Sequence, residues 1–210
     1  MKKVLCTILS ILALTLVLGT TSAVAQNVGD NSYYFTTYFS NNVAAAPDAT
    51  LRLINDGDTG ADLWASIYVF DDSEELTECC SCRVTPDGLL SESVRNQLTA
   101  NPITSIKPTR GVIKVISSST ESDVNTGFAA NTPTPGLRGW ATHIQSVSNK
   151  NPFGPSPYSQ TETTLADSNL GSTDSRPLSS REQSLLEALC FFDFRLSGKP
   201  CSCTPEDFDF

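Results

Sequence analysis

The sequence predicts a mainly β protein: an antiparallel, immunoglobulin-like β-sandwich with one C-terminal helix and a disulfide-stapled C-terminal tail. Three observations predict this class. Short segments rich in aromatic and β-branched residues alternate with turn signals, as in many sandwiches. One capped amphipathic segment lies near the end of the chain. Six of the seven cysteines fall into two groups, between Cys79 and Cys82 and between Cys190 and Cys203, so bridges between the groups would tie the tail to the middle of the fold.

The beginning of the chain has the three parts of a cleavable signal peptide. Two lysines open it, an uncharged apolar run continues to Leu18, and small residues precede Gln26. The apolar run is shorter than the roughly 20 residues that span a bilayer. The sequence therefore predicts a signal peptide over residues 1–25, a single domain over residues 26–210 and no transmembrane anchor after cleavage. Cys6 leaves with the signal peptide.

The predicted domain is strongly acidic. It keeps 12 basic residues, two fewer than the 14 of the whole chain, against 23 acidic ones, so its formal net charge is −11. Such a surface repels nucleic acid and anionic lipid headgroups. Together with the signal peptide, this charge predicts an exported protein that is secreted, periplasmic or on the cell surface. Its partner is expected to be an extracellular ligand or a surface partner. No nucleic-acid partner and no cofactor are predicted.

An even number of cysteines in an exported chain is typical of a disulfide framework. On a strand, side chains alternate, so Cys80 and Cys82 share one face and Cys79 points to the other. The same spacing gives the last two cysteines a common face. The alternation predicts that Cys79 pairs with Cys190, and that the other two bridges join Cys80 and Cys82 to Cys201 and Cys203, in either order.

A thiolate metal site is the rival interpretation of these cysteines, since two clusters of three thiols could hold zinc. Structural zinc sites usually have two to four residues between neighbouring cysteines, and oxidising compartments favour bridges. A thioredoxin-like redox site would use two thiols, whereas Cys79-Cys80-Ser81-Cys82 contains three. The spacing therefore favours disulfides.

Between residues 33 and 147, several segments have the composition of strands, and Asn-Asp-Gly and Pro-Asp-Gly turns separate some of them. The segment after the first of these turns is apolar on both alternating faces, which is typical of a central strand covered on both sides. The predicted strands are Tyr33–Phe39, Leu51–Ile54, Leu63–Phe70, Cys79–Val84, Gly111–Ser117 and Gly136–Val147. Long polar loops are predicted over Ser117–Thr126, Asn131–Pro135 and Asn149–Ser175.

A helix is predicted to begin at a capping box formed by Ser179 and Glu182, shortly after Pro177. An apolar stripe that would dock on the sheet follows it, consisting of Leu185, Leu186, Leu189 and Phe192. Cys190 lies beside the stripe, so a bridge should pin this helix. A second helix over Ser91–Leu98 has weaker signals.

Asp56, Asp58 and Asp62, together with Gly60, resemble part of a calcium loop, with oxygen ligands at alternating positions and a glycine for the turn. The bidentate glutamate of an EF-hand is missing, and a plain turn rich in aspartate is the competing interpretation. His143 is the one histidine of the chain. No nucleophile motif accompanies it, so it is predicted to be a half-exposed strand residue.

The stretch from Asp71 to Glu78 contains five acidic residues. Paired carboxylates can hydrolyse glycosidic bonds when they face each other about 5–10 Å apart in a cleft and one has a raised pKa. Consecutive acids in a loop are more often a solvated face. The acids therefore indicate an alternative function, a secreted polysaccharide hydrolase using this stretch or loop acids such as Glu162.

The chain resembles a family of exported bacterial proteins of the kind found in acidobacteria. The resemblance rests on Tyr68–Ser73, Glu78–Cys82, Gly111–Val115, Trp140–His143 and Cys201–Cys203, of which the two cysteine clusters are the most specific. It covers most of the predicted domain. It implies export and shared cysteines, and it assigns no catalytic residue.

The sequence as a whole favours a non-catalytic extracellular or cell-surface domain that binds a ligand or has a structural role. It predicts no catalytic residue, and long polar loops on a rigid scaffold often carry recognition. The alternative is the polysaccharide hydrolase. A third hypothesis is assembly, in which the aromatic strand Tyr33–Phe39 adds to the sheet edge of a neighbour.

Overall fold

Two antiparallel sheets form the core of the protein in the computed structural model, which describes residues 33–41, 46–99, 104, 106–121, 132–146, 158–167, 178–197, 201 and 203. The strands are β1 (Tyr34–Ser40), β2 (Thr50–Asn55), β3 (Leu63–Asp71), β4 (Leu76–Val84), β5 (Leu89–Ser93), β6 (Arg110–Ser118), β7 (Leu137–Ser146), β8 (Tyr158–Thr164) and β9 (Ala166–Asp167). The first sheet has the order β4-β3-β6-β1-β9 and the second β5-β2-β7-β8. The mainly β class is confirmed, while immunoglobulin-like connectivity and the signal peptide, which lies outside the described residues, stay predictions.

All six predicted strands are present, and β3 is the central strand that its composition predicts, since it pairs with both β4 and β6. Three strands were not predicted. Two of them, β8 and β9, lie inside the predicted loop Asn149–Ser175, and six of the seven residues of β8 are polar. Its polar side chains follow from its place at the edge of the second sheet, where one face meets solvent.

The prediction of a helix over Ser91–Leu98 was partly right, since a helix is present but spans only Val94–Leu98. The segment continues as β5 to Ser93, which pairs with Thr50, and then forms a single π-helical turn over Val94–Leu98. The carboxylate of Asp48 accepts hydrogen bonds from the backbone N–H of Arg95, at 3.1 and 3.2 Å, and from the hydroxyl of Ser93. Strand pairing therefore delays the start of the helix to Val94, and Ser93 and the Asp48 carboxylate cap its N-terminus.

The helix α1 (Ser180–Ser197) packs on the outer face of the first sheet, so the described residues form three layers. Between the sheets lies an apolar core that includes Phe39, Leu51, Leu53, Ile67, Val69 and Ile113. A second cluster, between the first sheet and α1, contains Tyr68, Leu76, Cys79, Ile116, Leu178, Leu186 and Cys190. Each large apolar side chain that is fully buried contributes roughly 1.5–3 kcal/mol. No helix among the described residues is long and apolar enough to cross a membrane.

The N-terminus of α1 is capped as predicted, because Ser179 Oγ accepts the backbone N–H of Glu182 at 3.1 Å. The predicted apolar stripe was partly wrong. Leu186 is buried and Leu189 is half-buried, but Leu185 and Phe192 are exposed. The face that meets the sheet instead contains Leu186, Cys190 and Asp193, at the helical spacing i, i+4 and i+7. A bridge at Cys190 fixes this rotation of the helix.

Three disulfide bonds join β4 to α1 and to the C-terminal tail. Cys79 is bonded to Cys190, Cys80 to Cys201 and Cys82 to Cys203, with Cα–Cα distances of 5.8, 5.2 and 5.5 Å. These distances lie within the usual range for disulfides. The partners agree with those that strand alternation predicts, and the structure resolves the order that the sequence left open. Such a framework is typical of proteins outside the reducing cytoplasm.

Gly111 in β6 lies where no side chain fits. A Cβ atom at this position would lie 1.9 Å from the carbonyl oxygen of Phe70 and 2.8 Å from the ring of Phe39. We expect Gly111→Ala to lower the free energy of unfolding by about 3 kcal/mol, because backbone of the central strand must shift. Urea unfolding measures this loss. The matched control is Gly60→Ala, which meets no atom within 4 Å and has only the strain of its φ of +63°. Equal losses in both variants would contradict the steric explanation.

Candidate functional site

A groove lies between the outer face of the first sheet and the N-terminal half of α1, and it is the candidate binding site. Its cavity has a volume of about 300 Å³. Strands β3 and β6 and the helix supply apolar walls, formed by Phe70, Val112, Leu185, Leu186 and Leu189. Charged side chains converge on the same cavity, namely Asp71, Glu74, Lys114 and Glu182. An apolar cavity with a few converging polar groups is the usual form of a small-ligand site.

Two of the lining side chains, Lys114 and Glu182, form a polar cluster with Tyr34 of β1. Lys114 Nζ forms an ion pair with Glu182 Oε1, and both side chains are about a quarter exposed. The hydroxyl of Tyr34 donates to the same carboxylate oxygen at 3.3 Å. Lys114 Nζ also lies 5.4 Å from the centroid of the Phe70 ring, within the range of a cation–π contact. The side chain of Glu182, the glutamate of the predicted capping box, therefore lies in the groove.

Burial and mutual contacts shift the pKa values of two groups in this cluster. Burial alone would lower the pKa of Lys114, but its hydrogen bond to Glu182 and the nearby charges raise that pKa above its ordinary value. Burial raises the pKa of Tyr34, and the carboxylate of Glu182 adds to this, while Lys114 opposes it. Lys114 therefore stays cationic at neutral pH, and the Tyr34 hydroxyl keeps its proton as a hydrogen-bond donor.

Of the acidic stretch that the sequence singled out, Asp71 and Glu74 line the groove. Asp71 Oδ1 also accepts the backbone N–H groups of Ser73 and Glu75, at 2.8 and 3.0 Å, so it holds the turn between β3 and β4. Glu162 lies on the second sheet and pairs with Arg52 at 2.5 Å. The structure therefore brings part of the stretch to the cavity and leaves Glu162 away from it.

Glu78 is the buried member of the stretch, with 1% of its surface exposed. Burial, and in addition the charge of Asp193, raises its pKa to about 8. Asp193 on α1 is also buried, and burial raises its pKa to about 6. Glu78 Oε1 and both carboxylate oxygens of Asp193 accept no hydrogen bond within the described part of the chain. The two carboxyl groups with raised pKa values thus lie outside the groove, which contradicts their use as its general acid.

Sequence reasoning missed Glu78 as a buried group, although a signal was present. Glu78 is two residues before Cys80 and four before Cys82, so alternation places all three side chains on one face of β4. Both cysteines are buried in the core between the sheets. Extending the predicted cysteine strand towards its N-terminus would have placed Glu78 there.

Two of the three aspartates of the calcium hypothesis, Asp56 and Asp62, pair with arginines, and a calcium site at Asp56, Asp58 and Asp62 stays a prediction. Asp56 Oδ2 lies 3.2 Å from Arg138 Nη2, and Asp62 Oδ2 accepts Arg83 Nε at 2.7 Å. Asp56 Oδ1 also accepts the backbone N–H of Asp58 at 3.2 Å, which is the geometry of an aspartate-rich turn. Among the described residues, the one group of three potential metal ligands within 4.8 Å of one another consists of Cys80, Cys82 and Cys203.

His143 is fully buried, and the prediction of a half-exposed residue was wrong. Its ring stacks on that of Tyr38 with centroids 3.9 Å apart, and its Nε2 lies 2.7 Å from Thr163 Oγ1. Tyr38 comes from the first sheet and His143 from the second, so the pair closes the sandwich where β1 meets β7. Burial lowers the pKa of His143, which favours a neutral ring. This environment is typical of a packing residue.

Comparison with known proteins leaves the family open. The sequence matches no protein-family model and no curated protein. A crystal structure of Thermotoga maritima 1070 aligns with a TM-score of 0.39 and 13% identity, over 66% of this chain and 95% of that one. The Anabaena sensory rhodopsin transducer aligns with a TM-score of 0.31 and 14% identity, over 40% of this chain and 85% of that one. At these scores neither likeness indicates a function.

Proposed function

We propose that this protein is an exported, non-catalytic binding module of the cell surface or extracellular space, and that its ligand occupies the groove beneath α1. The observation that carries the proposal is the joining of apolar walls and converging charges in one cavity of about 300 Å³. Three disulfide bonds are typical of exported proteins, and one of them, Cys79–Cys190, ties α1, which forms one wall of this cavity, to β4. A preformed site binds with less loss of conformational entropy.

The charges of the groove favour a particular class of ligand. Asp71, Glu74 and Glu182 carry three negative charges around the cavity, against the single positive charge of Lys114. Lys114 and Glu182 largely satisfy each other, so the remaining charges are negative. The walls favour an apolar body about the size of a leucine side chain or larger. The ligand class is therefore an apolar group that carries an amine or another cation.

A polysaccharide hydrolase is the second candidate function, favoured by the presence of Asp71, Glu74 and Glu182 around one cavity. Two features oppose it. The carboxyl groups with raised pKa values, Glu78 and Asp193, are buried elsewhere, and Asp71 is occupied by the turn. Incubating the purified protein with polysaccharides of bacterial and plant cell walls separates the functions. Release of reducing ends supports the hydrolase, whereas binding without products supports the module.

Hexylammonium and hexanoate, which share an alkyl chain and differ in charge, test the ligand class. We expect hexylammonium to bind more tightly and to shift the amide NMR signals of Val112, Lys114 and Leu186. Glu74→Gln should weaken its binding by up to about fivefold, since an exposed ion pair contributes about 0.2–1 kcal/mol. Glu75→Gln, an exposed neighbour that does not line the groove, is the matched control.

Filling the groove tests its location. Leu185→Trp places an indole at the rim, and we expect it to weaken hexylammonium binding at least tenfold, as about 1.4 kcal/mol of contact is lost. Leu196→Trp is the control, because Leu196 lies on the same helix, is exposed and does not line the cavity. Equal affinity in both variants, or signal shifts confined to another face, would exclude the groove as the binding site.

A further inference from the structure

The strands that end the two sheets differ in how their outer sides are protected. The C-terminal tail covers β4, where the backbone N–H of Cys201 donates to the carbonyl of Cys79 at 3.2 Å. β9 has two residues, and β5 has five before the chain turns into the π-helix. β8 has seven residues and ends the second sheet. Among the edge strands that the structure describes, β8 is therefore the one that is both long and open.

The sequence of β8 does not protect this edge. Natural edge strands are usually blocked by proline, by lysine or by a β-bulge. β8 has none of these, since it reads Tyr-Ser-Gln-Thr-Glu-Thr-Thr and pairs with β7 without a register shift. Its one charged side chain, Glu162, forms an ion pair with Arg52 of β2. The edge therefore has no local net charge that would repel another strand.

The pairing with β7 decides which backbone groups point outward. The N–H of Leu165 donates to the carbonyl of Gly139 at 2.8 Å. In an antiparallel pair, residues that exchange such bonds alternate with residues that do not, so the odd-numbered residues of β8 direct their backbone groups to β7. The even-numbered residues direct their N–H and C=O groups to the open side: Tyr158, Gln160, Glu162 and Thr164.

We propose that β8 pairs with β8 of a second copy of this chain, in antiparallel orientation about a twofold axis at Thr161. Gln160 then lies opposite Glu162 of the second copy, and Ser159 lies opposite Thr163, so the facing side chains share hydrogen bonds. About eight backbone hydrogen bonds join the copies, because outward-pointing residues face one another. The two four-stranded sheets become one continuous sheet of eight strands. Such a self-complementary contact closes on itself as a dimer.

Overlap and charge select this register. An axis at Thr161 overlaps all seven residues of β8 and keeps the two Glu162 carboxylates from facing each other. An axis at Glu162 would set these carboxylates directly opposite, which destabilises a strand pair. A slip of one residue would place even-numbered residues opposite odd-numbered ones, whose backbone groups are already bonded to β7.

Assembly through the aromatic strand Tyr33–Phe39, the hypothesis that the sequence raises, uses a strand inside the first sheet. β1 pairs along its length with β6, and its residues Phe35 and Thr36 also pair with β9. β1 therefore offers only part of an edge, whereas β8 offers all seven of its residues. The proposed contact lies on the second sheet, so it is independent of the groove on the first sheet.

Sedimentation equilibrium of the purified, oxidised protein measures the association. A single strand pair buries less area than most stable interfaces, so concentrations from about 1 µM to 1 mM are needed. We expect a reversible equilibrium between monomer and dimer. A monomer over the whole range would overturn the proposal.

Proline at an outward position tests whether the backbone of β8 forms the contact. Gln160→Pro removes an N–H that points to the open side and keeps the bonds to β7, a place where edge strands tolerate proline. We expect dimerisation to weaken about tenfold or more, because each copy loses one backbone hydrogen bond. Gln160→Thr keeps this N–H and is the matched control, which should still dimerise. Circular dichroism checks that both variants fold. Equal dimerisation of the proline variant and the wild type would contradict pairing through β8.

Charge exchange at Thr161 tests the position of the axis. Thr161→Lys sets two like charges opposite each other across the axis, and Thr161→Glu does the same with the opposite sign. We expect each variant alone to dimerise more weakly than the wild type, and an equimolar mixture of the two to form heterodimers. The same exchange at Thr59, which is exposed on a turn, is the control and should leave association unchanged. A mixture of folded variants that associates no better than either alone would exclude the axis at Thr161 and overturn the proposal.

Discussion

The Glu78→Gln variant is expected to be more stable than the wild-type protein at pH 8 and about equally stable near pH 5. Glu78 has a pKa of about 8 in the folded protein against an ordinary value of 4.5. Between these values the folded state holds a proton that the unfolded state has lost, so the free energy of unfolding falls as pH rises. Each unit of pKa difference corresponds to about 1.4 kcal/mol, so the free energy of unfolding of the wild type falls by several kcal/mol over this pH range. A glutamine at this position stays neutral at every pH, so the Glu78→Gln variant does not lose this stability.

Urea unfolding between pH 4.5 and 8.5 measures the difference. Asp193, with a pKa of about 6 against an ordinary value of 3.8, lowers stability in the same direction over a lower range, in both proteins. Glu75→Gln serves as control, because Glu75 is exposed on the turn. Parallel pH dependences for the wild type and Glu78→Gln would show that Glu78 is already charged in the folded state.

Removing the Cys79–Cys190 bridge, by Cys79→Ala with Cys190→Ala, is expected to lower the free energy of unfolding by about 3 kcal/mol. An isolated bridge over this separation of 111 residues would contribute about 5 kcal/mol in the chain-entropy treatment. The Cys80–Cys201 bridge, however, already holds the two chain segments together. The loop that the first bridge closes then runs through the second and contains only about 14 residues, which corresponds to about 3 kcal/mol.

The same argument ranks the other bridges. The Cys82–Cys203 bridge closes a loop of only about six residues, because the Cys80–Cys201 bridge already joins the two segments. We therefore expect Cys82→Ala with Cys203→Ala to lower the free energy of unfolding by about 2 kcal/mol. Removing all three bridges should lower stability by roughly 10 kcal/mol, which is within the total stability of most domains, 5–15 kcal/mol. Urea unfolding of the purified variants measures each loss. Losses near 5 kcal/mol for each bridge alone would contradict the nested-loop explanation.

Strand alternation explains why the cysteine pairing was predictable. Side chains on a strand alternate between its two faces whatever the strand pairs with. This alternation places Cys79 on one face and Cys80 and Cys82 on the other before any contact is known. The helix stripe was less predictable. Leu185 and Leu186 are equally apolar, and the bridge at Cys190, rather than hydropathy, decides which of them meets the sheet.

The groove could not be predicted, because its groups come together only in the folded chain. Tyr34 and Glu182, which share a hydrogen bond, are 148 residues apart. Lys114 appears in the sequence as a polar residue within an apolar strand, with no local sign of its partner. The carboxylate of Glu182 has a local signal, the capping box, but that signal predicts a contact with its own helix terminus. Strand pairing and helix docking bring this carboxylate to Lys114 and Tyr34 instead.

The order in which the cysteines are synthesised has a consequence for how the protein reaches its oxidised form. Cys79, Cys80 and Cys82 are made more than 100 residues before their partners. A loop of about ten residues closes in roughly 10–100 ns, so these neighbours meet one another long before the tail is synthesised. Links between neighbours must then be exchanged through mixed disulfides. We therefore expect efficient maturation to need a disulfide isomerase in addition to an oxidant.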